Sequence, residues 1–246
     1  MSTVGTSPSL LCKLISRREV AEKTFAFHFE KPPGWAFKPG QSVDMTLIDP
    51  PETDAEGNTR ALSIASSPQE EFLMVTTRMR NTAFKRVLGT MSPGTAVKLD
   101  GPFGNLILHN NAARAAVFLA GGIGITPFRS MVFQAAREKR PHRIFLFYSN
   151  RRPEDAAFLD ELQNLETENP NYKLIATMTG MEKSQRVWNG ERGWINEEML
   201  SRCLKTADSP IHYIAGPPGM VAGLRSVLNK AGVDDDDIRA EDFSGY

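Results

Sequence analysis

The chain has 246 residues, of which 41% are hydrophobic and 24% charged, with 19 glycines and 16 prolines. This composition is typical of a globular protein with a buried core, and it excludes collagen-like, coiled-coil and largely disordered chains. The 29 basic and 29 acidic side chains balance each other, so nucleic acid is not expected as the main partner.

Residues 10–108 carry the pattern of short β-strands. Runs of alternating apolar residues are separated by turn-forming residues, and this pattern predicts an antiparallel barrel or sandwich. The runs lie at residues 24–29, 41–48, 61–65, 72–77, 95–99 and 106–108. One helix interrupts them, because apolar residues recur at helical spacing from Phe84 to Met91 after a capping residue, Asn81 or Thr82.

Two segments of this first half suit the binding of phosphate. Arg60 begins the segment RALS after a long turn-rich loop, and its planar guanidinium can hold a phosphate through two hydrogen bonds. Ser63 then presents a hydroxyl to a ring anchored by that phosphate. Thr82 and Ala83 start the predicted helix, whose free amide groups suit a second phosphate. The alternative for Arg60 is a solvated arginine at a strand edge.

The pattern changes after residue 111 to strands that alternate with helices. Apolar strands are predicted at residues 115–120, 143–148, 172–178 and 211–215. Helices are predicted at residues 127–139, 153–165, 196–203 and 219–231. Continuous apolar strands between helices indicate a parallel sheet that is covered on both faces. We therefore predict two domains, at residues 1–110 and 111–246.

Two glycine-containing turns follow strands of the predicted parallel sheet. The first is GGIGITP at residues 121–127, and the second is GPPGM at residues 216–220. Open parallel sheets bind ligands at the carboxyl ends of their strands, where glycines let the backbone approach a pyrophosphate. Neither turn has the GxGxxG spacing, and tight turns without a ligand are the alternative. Because two such turns can flank one crevice, we predict dinucleotide binding.

The cysteines and the most apolar segment exclude several other classes. Cys12 and Cys203 have no partner at the spacing of a disulfide framework, a zinc site or an iron–sulfur cluster, so no metal is predicted. The apolar stretch at residues 115–128 is broken by glycine and proline and is shorter than the roughly 20 residues that a membrane span needs. We expect a cytoplasmic protein with no membrane span.

Taken in chain order, these motifs resemble the ferredoxin-NADP reductase family. The motifs that carry the resemblance lie at residues 60–63, 81–83, 101–104, 121–127, 216–220 and 241–246. The resemblance covers almost the whole chain. It implies an antiparallel flavin-binding β-barrel at residues 1–110 and an α/β parallel-sheet domain that binds a nicotinamide nucleotide at residues 111–246. The implied cofactors are FAD and either NADPH or NADH.

The resemblance also implies a role for individual residues. Arg60 would hold the flavin pyrophosphate, and Ser63, the one catalytic residue, would donate a hydrogen bond to the ring nitrogen that accepts hydride. The protein would hold the nicotinamide carbon and this nitrogen about 3–3.5 Å apart while the flavin performs the chemistry. The positions assigned to the two cofactors are Arg60, Leu62, Ser63, Arg78, Asn81, Thr82, Ala83, Gly122, Gly124, Thr126, Pro127, Ser149, Asn150, Arg151, Gly216, Pro217, Met220, Glu241, Phe243 and Tyr246.

The sequence departs from the family pattern where the flavin ring would stack. Leu62 replaces an aromatic residue, which removes a ring contact of roughly 0.5–1.5 kcal/mol, so we expect weaker flavin binding or a changed potential. Phe243 or Tyr246 offers a partial replacement on the other face. At the end of the second parallel strand, Ser149, Asn150 and Arg151 include no acidic residue, and this favours NADPH over NADH.

These features predict an NAD(P)H-dependent flavoprotein reductase that passes hydride to FAD and then electrons to an acceptor. Because the chain lacks cysteines for an iron–sulfur relay, the acceptor must reach the flavin directly, and a ferredoxin, a flavodoxin or a small oxidant all fit. One alternative is an electron-transfer component of a larger oxidoreductase complex. A second alternative, suggested by Leu62, is a binding module that keeps the fold but has lost its flavin.

Overall fold

The computed structural model describes residues 9–243, and the first part of them forms an antiparallel sheet. Its strands are β1 (Leu10–Ala21), β2 (Thr24–Glu30), β3 (Ser42–Leu47), β4 (Thr59–Ser63), β5 (Phe72–Arg78) and β6 (Ala96–Phe103). Their order in the sheet is β4-β3-β6-β1-β2-β5. A bridge between Ile64 and Val75 joins the two outer strands, so the sheet curls into the predicted barrel.

The interior of this barrel is apolar, and a single helix, α1 (Ala83–Thr90), closes it. Phe27, Phe29 and Met45 are fully buried there, because alternate residues of each strand point inward. Phe84 and Leu88 of α1 pack into the same cluster. The helix begins after Thr82, whose side-chain oxygen accepts a hydrogen bond from the Lys85 amide at 3.4 Å, as the sequence predicts for a capping residue.

The second part of the chain forms a parallel sheet between two layers of helices. Its strands are β7 (Ala116–Gly121), β8 (Ile144–Asn150), β9 (Tyr172–Met178), β10 (Glu191–Arg192), β11 (Ile211–Gly216) and β12 (Ile238–Asp242). Its helices are α2 (Ile125–Arg137), α3 (Leu159–Glu168), α4 (Glu197–Cys203) and α5 (Pro218–Lys230). The strand order is β10-β9-β8-β7-β11-β12, and every neighbouring pair is parallel.

The predicted two-part fold is confirmed, and several predicted elements differ from the structure. Residues 106–108 form no strand, because Leu106 packs into the core of the parallel-sheet domain instead of the barrel. The helix predicted from residue 153 begins only at Leu159, after a short 3-10 turn at Pro153–Asp155. Strands β1, β10 and β12 were not predicted, since β1 is exposed along residues 15–19, β10 has only two residues, and β12, IRAED, is polar.

The barrel and the parallel sheet share a buried contact that includes charged groups. Arg129 of α2 is 4% exposed and donates to the Ala65 carbonyl at 2.9 Å and to Glu70 of the barrel domain at 3.2 Å. Beside it, the Ser130 hydroxyl donates to the Ser66 carbonyl at 2.6 Å. These bonds hold the amino-terminal half of α2 against the barrel.

Between residues 9 and 243, no helix combines the length and the apolar character needed to cross a membrane. In the same range, no three His, Cys, Asp or Glu side chains lie together in a way that would hold a metal ion.

Candidate functional site

A cavity of about 520 Å³ lies where the barrel meets the parallel sheet. Its walls are the ends of β4 and β5, the start of α1, the turn between β7 and α2, and the end of β12. The lining residues are Ser42, Glu56, Arg60, Ala61, Leu62, Ser63, Thr76, Thr77, Arg78, Arg80, Thr82, Phe84, Lys85, Ile123, Thr126, Glu241, Asp242 and Phe243. Residues of both domains therefore face one space.

The two glycine turns lie side by side, and the first of them borders this cavity. Strands β7 and β11 are neighbours, and β8 pairs with the other side of β7, so the turns sit where the sheet order changes direction. A Cβ atom on Gly124 would lie 2.1 Å from the Ala215 carbonyl oxygen, so only glycine allows this approach. One on Gly121 would lie 2.2 Å from Met220 Sδ. The two turns thus form one continuous wall.

Thr126 and Ile123 bring this wall to the cavity. Thr126 is 3% exposed, and its hydroxyl donates to the Ile123 carbonyl at 3.0 Å, which fixes the first turn of α2. Gly122, Gly124 and Pro127 shape the same turn without lining the cavity. Gly216, Pro217 and Met220 lie behind it, against Gly121.

Four basic side chains of the barrel domain face the cavity: Arg60, Arg78, Arg80 and Lys85. Burial, with the nearby charges of Arg80 and Arg60, lowers the pKa of Lys85 to about 8. A cluster of like charges that is partly removed from water favours the binding of an anion. Arg60 and Arg78 were predicted for this site, whereas Arg80 and Lys85 were not.

The start of α1 supplies a backbone donor to the same region. The Ala83 amide donates to the Asp54 carboxylate at 2.8 Å, and this bond is the main reason why the pKa of Asp54 is lowered. Arg60 donates to Glu56 at 2.7 Å, and its guanidinium lies 5.1 Å from the centre of the Phe84 ring. Asn81, predicted for this motif, accepts a hydrogen bond from Arg86 at 2.7 Å and does not line the cavity.

Ser63 and Leu62 occupy the floor of the cavity at the end of β4. Ser63 is 8% exposed, and within residues 9–243 its hydroxyl makes no hydrogen bond to another side chain. Leu62 is half-buried against the barrel core and offers an apolar surface without a ring. Arg60 and Ser63 face the same cavity as Ile123 and Thr126, which is the arrangement that the predicted chemistry requires.

The last described residues, at and after the end of β12, form another part of the cavity wall. Glu241, Asp242 and Phe243 line the cavity, and the Phe243 amide donates to the Gly216 carbonyl at 2.9 Å. Burial raises the pKa of Glu241, and the neighbouring charge of Asp242 raises it further. Tyr246 lies outside the described residues.

The end of β8 lies beside the glycine turns, since Ser149 pairs with Gly121. Ser149 and Asn150 are buried, whereas Arg151 is exposed. The next residue, Arg152, forms salt bridges with Asp155 at 2.8 Å and Glu22 at 2.6 Å. Glu154 accepts hydrogen bonds from Ser184, Gln185 and Arg186. The acidic residues of this region are therefore engaged by the chain itself.

The residues of the cavity fit the two predicted cofactors. Arginines, a lysine and a helix-start amide suit the negative phosphates of a dinucleotide, and the apolar floor at Leu62 and Ala61 suits a flat ring. Ser63 and Phe243 line the same cavity. Arg80 and Lys85 were missed because only the fold shows that they point to the same space as Arg60.

Comparison with known proteins finds an NAD-binding domain profile and related reductases. The profile of the oxidoreductase NAD-binding domain matches residues 118–226. The chain is 29% identical over 202 residues to the F component of the Na(+)-translocating NADH-quinone reductase of Methylococcus capsulatus, and the match covers 76% of this chain and 49% of that protein. The chain thus spans about half the length of the curated relatives that it matches.

Solved structures match nearly the whole chain. A ferredoxin NADP+ reductase from Neisseria gonorrhoeae with bound FAD and NADP gives a TM-score of 0.79 at 22% identity, covering 96% of this chain and 99% of that chain. The FAD/NAD-binding domain of nitric oxide dioxygenase from Vibrio cholerae gives 0.81 at 16% identity, covering 95% and 98%. These matches confirm the ferredoxin reductase-like fold, and with the NAD-binding profile they support the oxidoreductase class predicted from the sequence.

Proposed function

We propose that this chain, whose fold is that of ferredoxin reductase-like proteins and which carries an oxidoreductase NAD-binding domain, is an NAD(P)H-dependent flavoprotein reductase. The observation that carries the proposal is the shared cavity, in which Arg60 and Ser63 of the barrel face Ile123 and Thr126 of the parallel-sheet domain. We assign flavin binding to residues 1–110 and nicotinamide binding to residues 111–246.

The barrel residues hold the flavin in this proposal. Arg60, Arg78, Arg80 and Lys85 bind its phosphates, and the start of α1 adds the Ala83 amide. The Ser63 hydroxyl would donate a hydrogen bond to the reacting edge of the ring, and Leu62 would offer it an apolar surface. The flavin, when bound, supplies the redox chemistry by accepting a hydride and releasing electrons to an acceptor.

The parallel-sheet residues orient the nicotinamide nucleotide. The turn that contains Gly122 and Gly124 would bring its backbone to the phosphates, and Thr126 and Phe243, which line the cavity, would contact the nicotinamide end. Ser149, Asn150 and Arg151 lie where the far ribose of the nucleotide would be held at the end of the neighbouring strand.

NADPH is the nucleotide that the end of β8 favours. Arg152 is occupied by Asp155 and Glu22, so the exposed Arg151 is the arginine available for the extra phosphate of NADPH. The acids that follow β8 do not offer a carboxylate to the ribose hydroxyls of NADH, because Arg152 engages Asp155 and because Glu154 accepts hydrogen bonds from the amides of Gln185 and Arg186.

The variant Arg151→Ala should raise the KM for NADPH and leave the KM for NADH unchanged, and an equal effect on both would contradict this preference.

A second candidate function is that of an electron-transfer component in a larger complex. One observation favours it: the curated relatives are named as one subunit of a quinone reductase. A ferredoxin, a flavodoxin or a small oxidant would be the acceptor of a free-standing enzyme.

Gel filtration combined with an NADPH–ferricyanide assay tests the proposal. The free-standing reductase should elute as a yellow protein after addition of FAD and should reduce ferricyanide with NADPH or NADH. A yellow protein that requires a partner for turnover would favour the component of a larger complex. A colourless protein that ignores added FAD would contradict the flavin proposal and favour a module that has lost its cofactor.

A further inference from the structure

The loop between β3 and β4 brings carboxylates to the groups that we assign to the flavin phosphates. The loop covers residues 48–58 and contains Glu52, Asp54 and Glu56. Asp54 Oδ2 accepts a hydrogen bond from the Ala83 amide at 2.8 Å. Glu56 Oε2 accepts one from Arg60 Nη2 at 2.7 Å, and Asp54 Oδ1 lies 3.8 Å from the same nitrogen. Both donors are therefore engaged by the chain itself.

A carboxylate and a phosphate are equivalent ligands for these two donors. Each is an anion with oxygens that accept charge-assisted hydrogen bonds from a guanidinium or from the amides at a helix start. The Ala83 N–H has one hydrogen to donate, and the guanidinium of Arg60 also donates to the carbonyl oxygens of Glu56, Gly57 and Thr59. A pyrophosphate that used both groups would have to displace Asp54 and Glu56.

The exposure of the acidic side chains indicates that displacement is possible. The Glu56 side chain is 66% exposed and that of Asp54 is 33% exposed, whereas the Arg60 side chain is only 20% exposed. Exposed ion pairs are weak because water replaces either partner at little cost. The base of the loop is fixed separately, since the Asn58 side chain donates to the Leu47 carbonyl at 2.8 Å and the Leu47 amide donates to the Asn58 carbonyl at 2.9 Å.

We propose that Asp54 and Glu56 are affinity-determining residues that compete with the pyrophosphate of FAD and so make the flavin an exchangeable coenzyme. This inference rests on the proposed flavin function. It adds that the flavin exchanges with solution instead of staying permanently bound. The competition acts only on ligands that carry the pyrophosphate. Leu62 acts in the same direction, because it supplies no stacking ring to hold the flavin more tightly.

The experiment compares the full chain with two charge-matched double variants. The test variant is Asp54→Asn with Glu56→Gln, which removes both charges and keeps the side-chain shapes. The control is Asp208→Asn with Glu71→Gln, two exposed acids that do not line the cavity. Dissociation constants for FAD, ADP and riboflavin are measured by calorimetry or fluorescence, and the midpoint of thermal unfolding shows that each variant is folded.

We expect the test variant to bind FAD and ADP about tenfold more tightly than the unchanged chain, with a correspondingly slower release of FAD. Riboflavin, which has no phosphate, should bind all proteins equally, and the control should match the unchanged chain. Equal or weaker binding of FAD and ADP by the test variant would overturn the inference, as would an equal gain for riboflavin.

The same binding measurements distinguish a failure of this inference from a failure of the proposed function. If the unchanged chain and the test variant bind FAD equally well, the flavin function stands and the competition does not exist. If neither protein binds FAD, the proposed function fails. The inference about flavin exchange then fails with it, whatever the ADP affinities are.

Discussion

Arg60 illustrates at the residue scale what a sequence motif predicts and what it leaves out. The motif places Arg60 and Ser63 on one strand, and both line the predicted cavity. The partners of Arg60 were not predicted, because Asp54 and Glu56 lie in an irregular loop. Arg80 and Lys85 were missed for a similar reason, since a basic residue after a strand or within a helix is usually solvated.

The Ser63 hydroxyl gives a test of the role assigned to it. The variant Ser63→Ala should slow flavin reduction by NADPH about tenfold, which corresponds to the loss of one hydrogen bond of about 1.4 kcal/mol. The dissociation constant of FAD should stay unchanged, because the phosphates anchor the flavin. Anaerobic stopped-flow absorbance measures the rate, with Ser92→Ala, an exposed serine of the barrel domain, as the control. An unchanged rate would remove Ser63 from the chemistry.

The lowered pKa of Lys85 predicts that ligand binding depends on pH. Its pKa of about 8 is low because of burial and of the charges of Arg80 and Arg60, so at pH 8.5 the amine is mostly neutral. A bound pyrophosphate stabilises the charged form and raises this pKa, so binding of ADP at pH 8.5 should take up part of a proton. At pH 6.5, where Lys85 is already protonated, the contribution of Lys85 to this uptake should vanish.

Calorimetry in two buffers with different ionisation enthalpies measures this uptake. The variant Lys85→Arg serves as the control, because its guanidinium stays protonated at both pH values. The proton uptake that is due to residue 85 at pH 8.5 should then disappear. Equal proton uptake by this variant and the unchanged chain would show that another group titrates.

At the scale of secondary-structure elements, the periodicity of apolar residues predicted most strands and helices, whereas tertiary packing determines where they end. The apolar runs of β7, β8, β9 and β11 were predicted because parallel strands buried on both faces leave an unmistakable pattern. Strand β12 was not, since its order comes from pairing with β11 and not from its own apolar residues. Residues 106–108 were assigned to a strand because their apolar side chains carry no sign of which domain they enter.

The contact between the two glycine turns provides a test at this scale. A methyl group at Gly124 would lie 2.1 Å from the Ala215 carbonyl oxygen, so Gly124→Ala must push β11 away from α2. We expect the free energy of unfolding to fall by about 2 kcal/mol and nicotinamide binding to weaken.

The matched control for this prediction is Gly223→Ala in α5, where a Cβ atom would have no neighbour within 4 Å. This variant should raise the free energy of unfolding by about 0.5–1 kcal/mol, because alanine favours a helix over glycine. Urea unfolding measures both. Similar effects of the two substitutions would show that the close approach of the turns does not exist.

At the scale of the whole molecule, the sequence predicted two domains in the right order but not how they are joined. Arg129 and Glu70 form an almost fully buried ion pair, with side chains 5% and 9% exposed, between α2 and the barrel domain. A buried charge pair has no signature in a hydrophobic pattern, and its partners are 59 residues apart. The pair holds α2, which follows the first glycine turn, against the barrel domain.

Removal of Arg129 should therefore affect the entire molecule. The variant Arg129→Ala leaves the buried Glu70 carboxylate without its cationic partner, with the Ser67 amide still donating to it, so the free energy of unfolding should fall by about 3 kcal/mol. In contrast, Lys173→Ala, which removes the exposed pair with Glu166 at 3.6 Å, should change it by less than about 1 kcal/mol. Chemical denaturation measures both, and equal losses would show that the buried pair does not join the domains.

Anaerobic titration of the FAD-loaded protein with a reduced nicotinamide nucleotide tests most directly whether the two domains present their cofactors to each other. One equivalent of NADPH should bleach the yellow absorbance of one bound flavin, and Gly124→Ala should slow the bleaching without releasing FAD. A protein that binds FAD and a nicotinamide nucleotide but shows no bleaching with either NADPH or NADH would contradict hydride transfer across the cavity between Arg60 and Thr126.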